Sequence, residues 1–224
     1  MNEAAAKALL LSHVRHHGGR KSAVVTAELS LGGSSVRADL ALLADKQLIG
    51  FEIKTERDTL RRLPAQAAAY ADYFDHVVIA VAPRHVQAVR DLDLHGAAIW
   101  QLSNSGIEIV QDGKKNVVRP TAHLDLMTRE ERQGVLMGSR TIREHYCEVF
   151  QKRYRRTSNA FWEMVSGRKI RSQDIKHLSR YTEQRDAMHQ IAREREERWD
   201  RWREAYSSFA TAFINQPSQS SSVS

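Results

Sequence analysis

The sequence has little of what marks exported or membrane proteins. It contains one cysteine, Cys147, so it cannot form an internal disulfide bond. No apolar run approaches the ~18 residues of a membrane-spanning helix. The N-terminal stretch MNEAAAKALLLSHVRHH has an early acid and no basic segment before its apolar residues, which is typical of an amphipathic helix rather than a signal peptide. We therefore expect a cytoplasmic protein without membrane contact.

Two common kinds of functional site are also missing from the sequence. It has no glycine-rich loop of the kind that cradles phosphates, so we expect no use of nucleoside triphosphates. His13, His16 and His17 are close together, but no fourth zinc ligand lies near them in the sequence. We expect these histidines at the surface, and we expect Cys147, which has no obvious catalytic partner, to be buried.

Positive charge is concentrated in one stretch. The chain has 34 Lys and Arg against 27 Asp and Glu, a net charge of +7, and residues 150–180 alone hold nine basic residues and two acids. Basic clusters bind phosphates, and aromatic rings such as those of Tyr154, Phe161 and Trp162 can stack on bases. The stretch therefore predicts nucleic-acid contact by Lys152, Arg153, Arg155, Arg156, Arg168, Lys169 and Arg171. The alternative is a solvated charged face with Phe161 and Trp162 in the core.

The order of predicted elements indicates an α/β fold with a mixed central sheet, followed by an all-helical region. β-branched runs predict strands at 23–31, 36–43, 48–54, 76–82, 97–102 and 107–111. Helical periodicity is found at 3–16, 59–74, 85–91, 127–136, 139–165, 172–182 and 184–214. We predict a core at 1–120, a basic helical arm at 121–215 and a disordered tail at 216–224.

The last predicted helix, 184–214, has a mostly apolar stripe with alternating steps of four and three residues. Its members are Met188, Ala192, Arg195, Trp199, Trp202, Tyr206, Phe209 and Phe213. Such spacing favours a helix-packing or coiled-coil seam, and it predicts a possible homodimer through this helix. The alternative is that nucleic-acid bases stack on Trp199 or Trp202.

Two predicted hairpins bring three carboxylates together. The loops at 32–35 and 44–47 have hairpin length. Pairing outward from them places Asp39 opposite Glu52 on one neighbouring strand and opposite Glu28 on the other. Directly opposed side chains lie ~4.5–5.5 Å apart at Cβ, so like charges there repel. We expect a row of acids on one face of the sheet.

The alternation of side chains assigns each residue of these strands to a face. We expect Glu52 and Lys54 to point away from the core and Phe51 and Ile53 to point into it. In the strand at 36–43, one face is expected to carry Arg37, Asp39, Ala41 and Leu43, and the other Val36, Ala38, Leu40 and Leu42. A slip of one residue would put Asp39 on the wrong face.

A divalent cation would neutralise such an acidic row. Mg²⁺ and Mn²⁺ prefer oxygen ligands, lower the pKa of bound water and stabilise charge on a phosphoryl group. A nearby ammonium, here Lys54, can position that water or offset the charge. Two acids and a lysine therefore predict phosphodiester hydrolysis. The alternative is an ordinary ion pair between Glu52 and Lys54 on a solvated strand.

The helix that follows can support the same site. Gln66 and Tyr70 are four residues apart and share a helix face, where both can reach a phosphate or order the site. Arg57, Arg61 and Arg62 cluster ahead of them, where a nucleic-acid backbone would bind. The alternative for Tyr70 is a half-buried packing residue.

These residues together resemble the PD-(D/E)xK nuclease superfamily. Asp39 lies in RAD, Glu52 and Lys54 lie in FEIK, and Gln66 and Tyr70 form a Q-x-x-x-Y pair. The stretch from RADLALL to DHVVIAVAP resembles the sce7726-type bacterial proteins more closely, and the Gln–Tyr helix is similar to that of RecB-like exonucleases. The resemblance covers residues 23–83, roughly a quarter of the chain, and Ala38 stands where the superfamily name has proline.

The resemblance implies a restriction-endonuclease-like core, with Mg²⁺ or Mn²⁺ held by Asp39, Glu52 and the Ile53 carbonyl. Lys54 would be the catalytic lysine. Glu28 would be an additional acid, although some branches place that acid on the first helix, where Glu3 is the one candidate.

The function expected from the sequence is a metal-dependent nuclease of bacterial or phage origin, acting on nucleic acid, with DNA as the expected substrate. Two alternatives stay open, a non-cleaving nucleic-acid-binding module with a nuclease-like fold and a structural adaptor.

Overall fold

The computed structural model describes residues 1–17, 23–136, 141–179, 191, 193–199 and 201–203. The chain divides into two compact units, Met1–Arg180 and Tyr181–Ser224. No helix in these described residues is long and apolar enough to cross a lipid bilayer.

The first unit is an α/β structure, as predicted. Its strands are β1 (Val24–Ser30), β2 (Arg37–Ala44), β3 (Gln47–Lys54), β4 (His76–Val81), β5 (Ala98–Ser103) and β6 (Gly106–Gln111). Its α-helices are α1 (Glu3–His17), α2 (Leu63–Tyr73), α3 (Val86–Arg90), α4 (Pro120–Asp125), α5 (Arg129–Leu136) and α6 (Ile142–Met164). Two 3₁₀ helices span Pro83–His85 and Ser172–Leu178.

The six strands form one mixed sheet in the order β1-β2-β3-β4-β5-β6. Hairpins make the β1–β2, β2–β3 and β5–β6 pairs antiparallel, whereas β3–β4 and β4–β5 are parallel because helices connect them. The predicted class, a mixed central sheet followed by helices, is confirmed. Residues after 120 are helical where the structure describes regular elements, and those up to Ser179 belong to the same compact unit as the sheet.

Several predicted boundaries are corrected. The helix predicted at 59–74 begins at Leu63, with Pro64 in its first turn, where proline fits. The helix predicted at 139–165 begins after Thr141, whose hydroxyl accepts a hydrogen bond from the Glu144 N–H in a capping box. The segment predicted as a helix at 172–182 is a 3₁₀ helix over Ser172–Leu178.

The sheet is covered on both faces, which corrects the expectation of one solvated face. One face packs under α2 and the first half of α6, through Tyr70, Phe74 and Phe150, and the other packs under α1 and the end of α6, through Leu10 and Phe161. Consequently Glu52 and Lys54 are only 2% and 6% exposed.

The long helix α6 passes the edge strand β1. Ser158 of α6 accepts a hydrogen bond from the Val25 N–H of β1 at 3.1 Å, and Trp162 donates from Nε1 to the Ala23 carbonyl at 3.3 Å. An open edge strand presents unpaired N–H and C=O groups, so these contacts protect β1 from pairing with another chain.

The hairpin registers are those required by the predicted loops. Leu43 pairs with Val24 of β1 and with Leu48 of β3. The alternation of faces nevertheless shifts at Asp39. Ala38 packs with Ala41 and Leu43 instead of the predicted Leu40 and Leu42.

The reason for this shift is a break in the β1–β2 ladder. Residues 27 and 29 of β1 pair with 40 and 38 of β2, and the intervening Glu28 has a φ of 59°. A left-handed residue interrupts the regular pleat, so side chains on either side of it no longer alternate in phase.

An ion pair fastens α6 to the β3 side of the sheet. Asp75 precedes β4 and is buried; its Oδ2 accepts hydrogen bonds from the Leu48 N–H at 2.8 Å and from Arg143 Nη2 at 2.5 Å. Arg143 also donates to the Lys46 carbonyl at 2.7 Å, so one guanidinium joins α6 both to Asp75 and to the turn between β2 and β3.

We predict that Arg143→Ala lowers the free energy of unfolding by roughly 2–3 kcal/mol, because the Asp75 carboxylate would stay buried with one donor fewer. Urea denaturation of the first unit measures the change. Arg129→Ala, at an exposed position of α5, is the matched control and should change stability little. Equal effects of the two substitutions would contradict this role of Arg143.

The second unit is described only in part. Residues 193–199 and 201–203 are helical, and Trp199 and Trp202 are 52% and 54% exposed. The two rings are arranged edge to face, with their centroids 5.2 Å apart. Most of the predicted seam (Met188, Ala192, Tyr206, Phe209 and Phe213) and the predicted tail at 216–224 lie outside the described residues.

Candidate active site

A closed triangle of polar side chains lies at the end of β3. Lys54 donates from Nζ to Glu52 Oε1 at 2.6 Å and to Gln66 Oε1 at 2.9 Å. Gln66 donates from Nε2 to the same Glu52 oxygen at 2.6 Å. Glu52 and Lys54 are two residues apart on one face of β3, and α2 presents Gln66 over them. The structure therefore brings together three of the predicted site residues.

Tyr70 extends this cluster to a second oxygen. Its hydroxyl donates to Glu52 Oε2 at 2.6 Å and accepts the Asp39 N–H at 3.3 Å. The ring is fully buried against Phe74. Burial, together with the nearby charges of Glu52 and Asp39, raises the pKa of Tyr70 well above its ordinary value. The hydroxyl therefore stays protonated and serves as a hydrogen-bond donor to Glu52.

Asp39 lies where pairing between β2 and β3 ends. The ladder stops at Leu40 and Phe51, and beyond it Asp39 Oδ2 accepts the Ile53 N–H at 2.7 Å. Burial, and then the charge of Glu52, raises the pKa of Asp39 to about 7. Two carboxylates in one poorly solvated place repel each other, so the site favours a proton or a cation beside Asp39.

The Ile53 carbonyl lies on the side of β3 that faces Asp39. The Lys54 carbonyl accepts the Ala82 N–H, so residue 54 directs its backbone groups toward β4. Because successive residues of a strand direct these groups to opposite sides, the N–H and C=O of Ile53 are directed toward Asp39. Oxygens from Asp39, Glu52 and Ile53 are the hard ligands that Mg²⁺ and Mn²⁺ take. Among the residues that the structure describes, no three His, Cys, Asp or Glu side chains are grouped as metal ligands.

Helix α1 brings two further charges to Asp39. Lys7 is 3% exposed and pairs with Glu3 at 2.5 Å, one helical turn away. The charge of Lys7 lowers the pKa of Asp39 and that of Glu3 raises it, although burial and Glu52 have larger effects. Sequence reasoning missed Lys7. The signal for it is a lysine among small apolar residues, four positions after an acid.

Glu28 is placed beside Asp39 by register, but its side chain has another partner. Its carboxylate is 4.0 Å from the Arg37 guanidinium and is partly exposed. Glu3, whose charge acts on Asp39, is thus a second candidate for the third acid of the site.

Residue 54 also lines a small cavity at the end of β3. Its volume is about 250 Å³, and it is bounded by the ends of β3 and β4, the β5–β6 turn and the start of α1. The residues that line it are Met1, Ala6, Lys54, Thr55, Glu56, Ala82, Pro83, Leu102, Ser103 and Asn104.

The predicted basic residues fall into two groups. Those exposed to solvent are Arg57, Arg61, Arg62, Lys152, Arg155, Arg156, Lys169 and Arg171. Arg153 and Arg168, in contrast, are used within the fold. Arg153 binds the Glu131 carboxylate of α5, and Arg168 forms a two-pronged pair with Asp174 at 2.8 and 3.0 Å.

The aromatic residues of the basic stretch are mostly structural. Tyr154 and Phe161 are 4% and 1% exposed, so neither ring is available for stacking, and Trp162 is half-buried. Cys147 is a buried free thiol, as expected, and burial raises its pKa.

Comparisons with known proteins give a family and one distant structural likeness. The family model described as bacteriophage P4 protein cII matches residues 1–179, which coincides with the first compact unit. Protein cII of Enterobacteria phage P4 is 26% identical over 208 residues, 80% of this chain and 78% of that protein.

The SPO1766 protein of unknown function from Silicibacter pomeroyi shares 16% identity, with a TM-score of 0.44 over 67% of this chain and 90% of that one. The family match alone spans more than half of the sequence, and the expectation of a bacterial or phage protein agrees with it. The chain belongs to the bacteriophage P4 protein cII family.

Proposed function

We propose that this protein is a divalent-metal-dependent nuclease that hydrolyses phosphodiester bonds, with DNA as the expected substrate. The observation that carries the proposal is the gathering of Glu52 and Lys54, both buried at the end of β3 and bonded to Gln66 and Tyr70, with the half-buried Asp39 of β2, whose Oδ2 accepts the Ile53 N–H. The same five residues carry the resemblance to the PD-(D/E)xK superfamily.

The residues at this site fit a Mg²⁺ or Mn²⁺ ion. Burial, and then repulsion from Glu52, raises the pKa of Asp39, and a cation would relieve that repulsion. Asp39, Glu52 and the Ile53 carbonyl would hold the ion. A bound ion would supply a water of lowered pKa and stabilise charge on the phosphoryl oxygens.

The side chains of this chain have separate roles. Lys54, which donates to Glu52 and Gln66, would orient the attacking water or offset negative charge on the phosphate. Gln66 and Tyr70 are positioning residues, since they fix both oxygens of Glu52. Glu28 or Glu3 would supply the additional acid.

The main alternative is a nucleic-acid-binding module that does not cleave. One observation favours it: both oxygens of Glu52 already accept hydrogen bonds from the protein's own Lys54, Gln66 and Tyr70. A site satisfied in this way can be a stable structural network without an ion.

Incubation with labelled single-stranded, duplex, branched and RNA substrates separates the two functions. We expect cleavage of at least one DNA substrate with Mn²⁺ or Mg²⁺ and none with EDTA. Calorimetry should detect Mn²⁺ binding by the wild type and much weaker binding by Asp39→Asn. Nucleic-acid binding without cleavage, together with no heat of Mn²⁺ binding, would reject the nuclease and support the binding module.

A cytoplasmic location and a homodimer through 184–214 stay predictions from the sequence. Light scattering of the full chain and of Trp199→Ser/Trp202→Ser checks the dimer. We expect a dimeric mass only for the unmodified chain, and a monomeric mass for both would reject it.

A further inference from the structure

A second and larger cavity meets the one beside Lys54. It has a volume of about 1420 Å³ and lies between α1 and the segment 166–172. The two cavities share Met1, Ser103 and Asn104 as lining residues, so they lie side by side, and we name the two together the α1 groove. The groove leads from the buried Lys54 to the second basic cluster, at Arg168, Lys169 and Arg171.

The basic wall of the α1 groove is a fixed loop. Arg15 of α1 donates to the carbonyls of Val165 and Arg168, both at 3.0 Å. Asp174 accepts the two-pronged pair from Arg168 and the Arg171 N–H at 2.8 Å. These bonds tie the loop to α1 on one side and to the 3₁₀ helix at Ser172–Leu178 on the other.

Two cations of this wall are left for a ligand. Lys169 and Arg171 line the groove and are exposed. Neither forms a salt bridge within the described part of the chain. The loop that carries Lys169 and Arg171 is already held in place, so binding a phosphate there costs little conformational entropy.

The groove also contains an aromatic surface. Trp162 lines it, and its orientation is fixed by the hydrogen bond from Nε1 to the Ala23 carbonyl and by edge-to-face contact with Phe161 at 5.1 Å. A basic groove with a half-buried aromatic ring is the combination that binds single strands without a preference for sequence.

We infer that the α1 groove binds a single strand of nucleic acid, with its phosphates on Lys169 and Arg171 and a base against Trp162, and leads it to Lys54. This inference rests on the proposed function, to which it adds the substrate class.

Binding of a fluorescein-labelled oligothymidylate, measured by anisotropy in EDTA, tests the inference without any need for cleavage. We expect Lys169→Glu/Arg171→Glu to weaken binding at least ~10-fold and to reduce the slope of log K against log salt by ~1.4, or 0.7 for each lost contact. The matched control is Lys114→Glu/Lys115→Glu, which makes the same charge change at exposed positions outside the groove. It should bind within about twofold of the unmodified chain.

Two further measurements sharpen the result. Tryptophan quenching by the oligothymidylate should be lost in Trp162→Phe, and a closed dumbbell duplex should bind at least ~10-fold more weakly than the single strand. Equal weakening by the groove and control variants, or equal binding of the dumbbell, would overturn the inference. An unmodified chain that binds the oligothymidylate through this groove but cleaves nothing with Mn²⁺ would reject the proposed nuclease and leave the inference standing.

Discussion

Lys54→Met is expected to lower the rate of metal-dependent cleavage by ~10²–10³-fold, the usual cost of removing one donor from a preorganised site. It is also expected to destabilise the protein. Lys54 and Glu52 are both buried, and Lys54 Nζ lies 2.6 Å from Glu52 Oε1. Loss of the ammonium leaves the Glu52 carboxylate buried with only neutral donors, at a cost of about 3–5 kcal/mol.

The double variant Glu52→Gln/Lys54→Met separates catalysis from stability. Removing both charges should recover most of the lost free energy of unfolding, since a neutral amide can still pair with Gln66 and Tyr70. Cleavage should not recover, because both the acid and the lysine are gone. Initial rates at saturating Mn²⁺ and urea midpoints of the three proteins give the comparison.

Two outcomes would contradict the role given to Lys54. Cleavage by the single variant at the wild-type rate would remove Lys54 from the mechanism. Recovery of cleavage together with stability in the double variant would show that the residue matters only for folding. Lys114→Met, at an exposed position, is the control and should change neither measurement.

The register that assembles this site could be read from the sequence. The predicted loops at 32–35 and 44–47 have hairpin length, and pairing outward from them gives one register for each hairpin. The second turn is shorter than predicted, since Ala44 pairs with Gln47, but the register is the same. The observed pairs Leu43 with Val24 and Leu43 with Leu48 follow that arrangement. Local chemistry therefore places Asp39 beside Glu52 before any tertiary packing is considered.

The charges from α1 could not be read in this way. The position of Lys7 beside Asp39 depends on how a helix at the other end of the chain packs across the sheet, and no local pattern encodes that rotation. The same holds for Glu28, whose φ of 59° is unusual for a residue with a side chain, and this backbone is imposed by the surrounding strands. The sequence also placed Glu52 and Lys54 in solvent, because the burial of both faces follows from two helical layers rather than from the strand pattern.

The second large effect concerns Asp39, the acid with the most perturbed environment in the site. Asp39→Asn is expected to raise the free energy of unfolding at pH 8 in EDTA by up to ~4 kcal/mol. Burial and the charge of Glu52 raise the pKa of Asp39 to about 7, against ~3.9 in the unfolded chain. Each unit of difference between the folded and unfolded pKa corresponds to ~1.4 kcal/mol of stability.

The sign follows from proton binding. Between pH ~4 and ~7 the folded protein holds a proton on Asp39 that the unfolded chain has released, so stability falls as pH rises through this window. Asparagine does not titrate, and its amide oxygen can still accept the Ile53 N–H. The gain in free energy of unfolding from Asp39→Asn should therefore be small near pH 4 and greatest above pH 7.

Urea denaturation from pH 5 to pH 8 measures this dependence, with Asp112→Asn at an exposed position as the control. The control should follow the wild type at every pH. A wild type whose stability does not fall over this range, or an Asp39→Asn protein no more stable than the control, would contradict the electrostatic strain at the site.

Adding Mn²⁺ at pH 8 then connects that strain to function. An ion held by Asp39 should stabilise the wild type by ~2.7 kcal/mol when its concentration is a hundredfold above Kd, and it should stabilise Asp39→Asn much less. The variant that is more stable in EDTA would thus lose most of its advantage in stability when the ion is present, and it should also be inactive. If Mn²⁺ stabilised both proteins equally, the ion would bind elsewhere, and the repulsion between Asp39 and Glu52 would be a structural feature rather than the basis of a metal site.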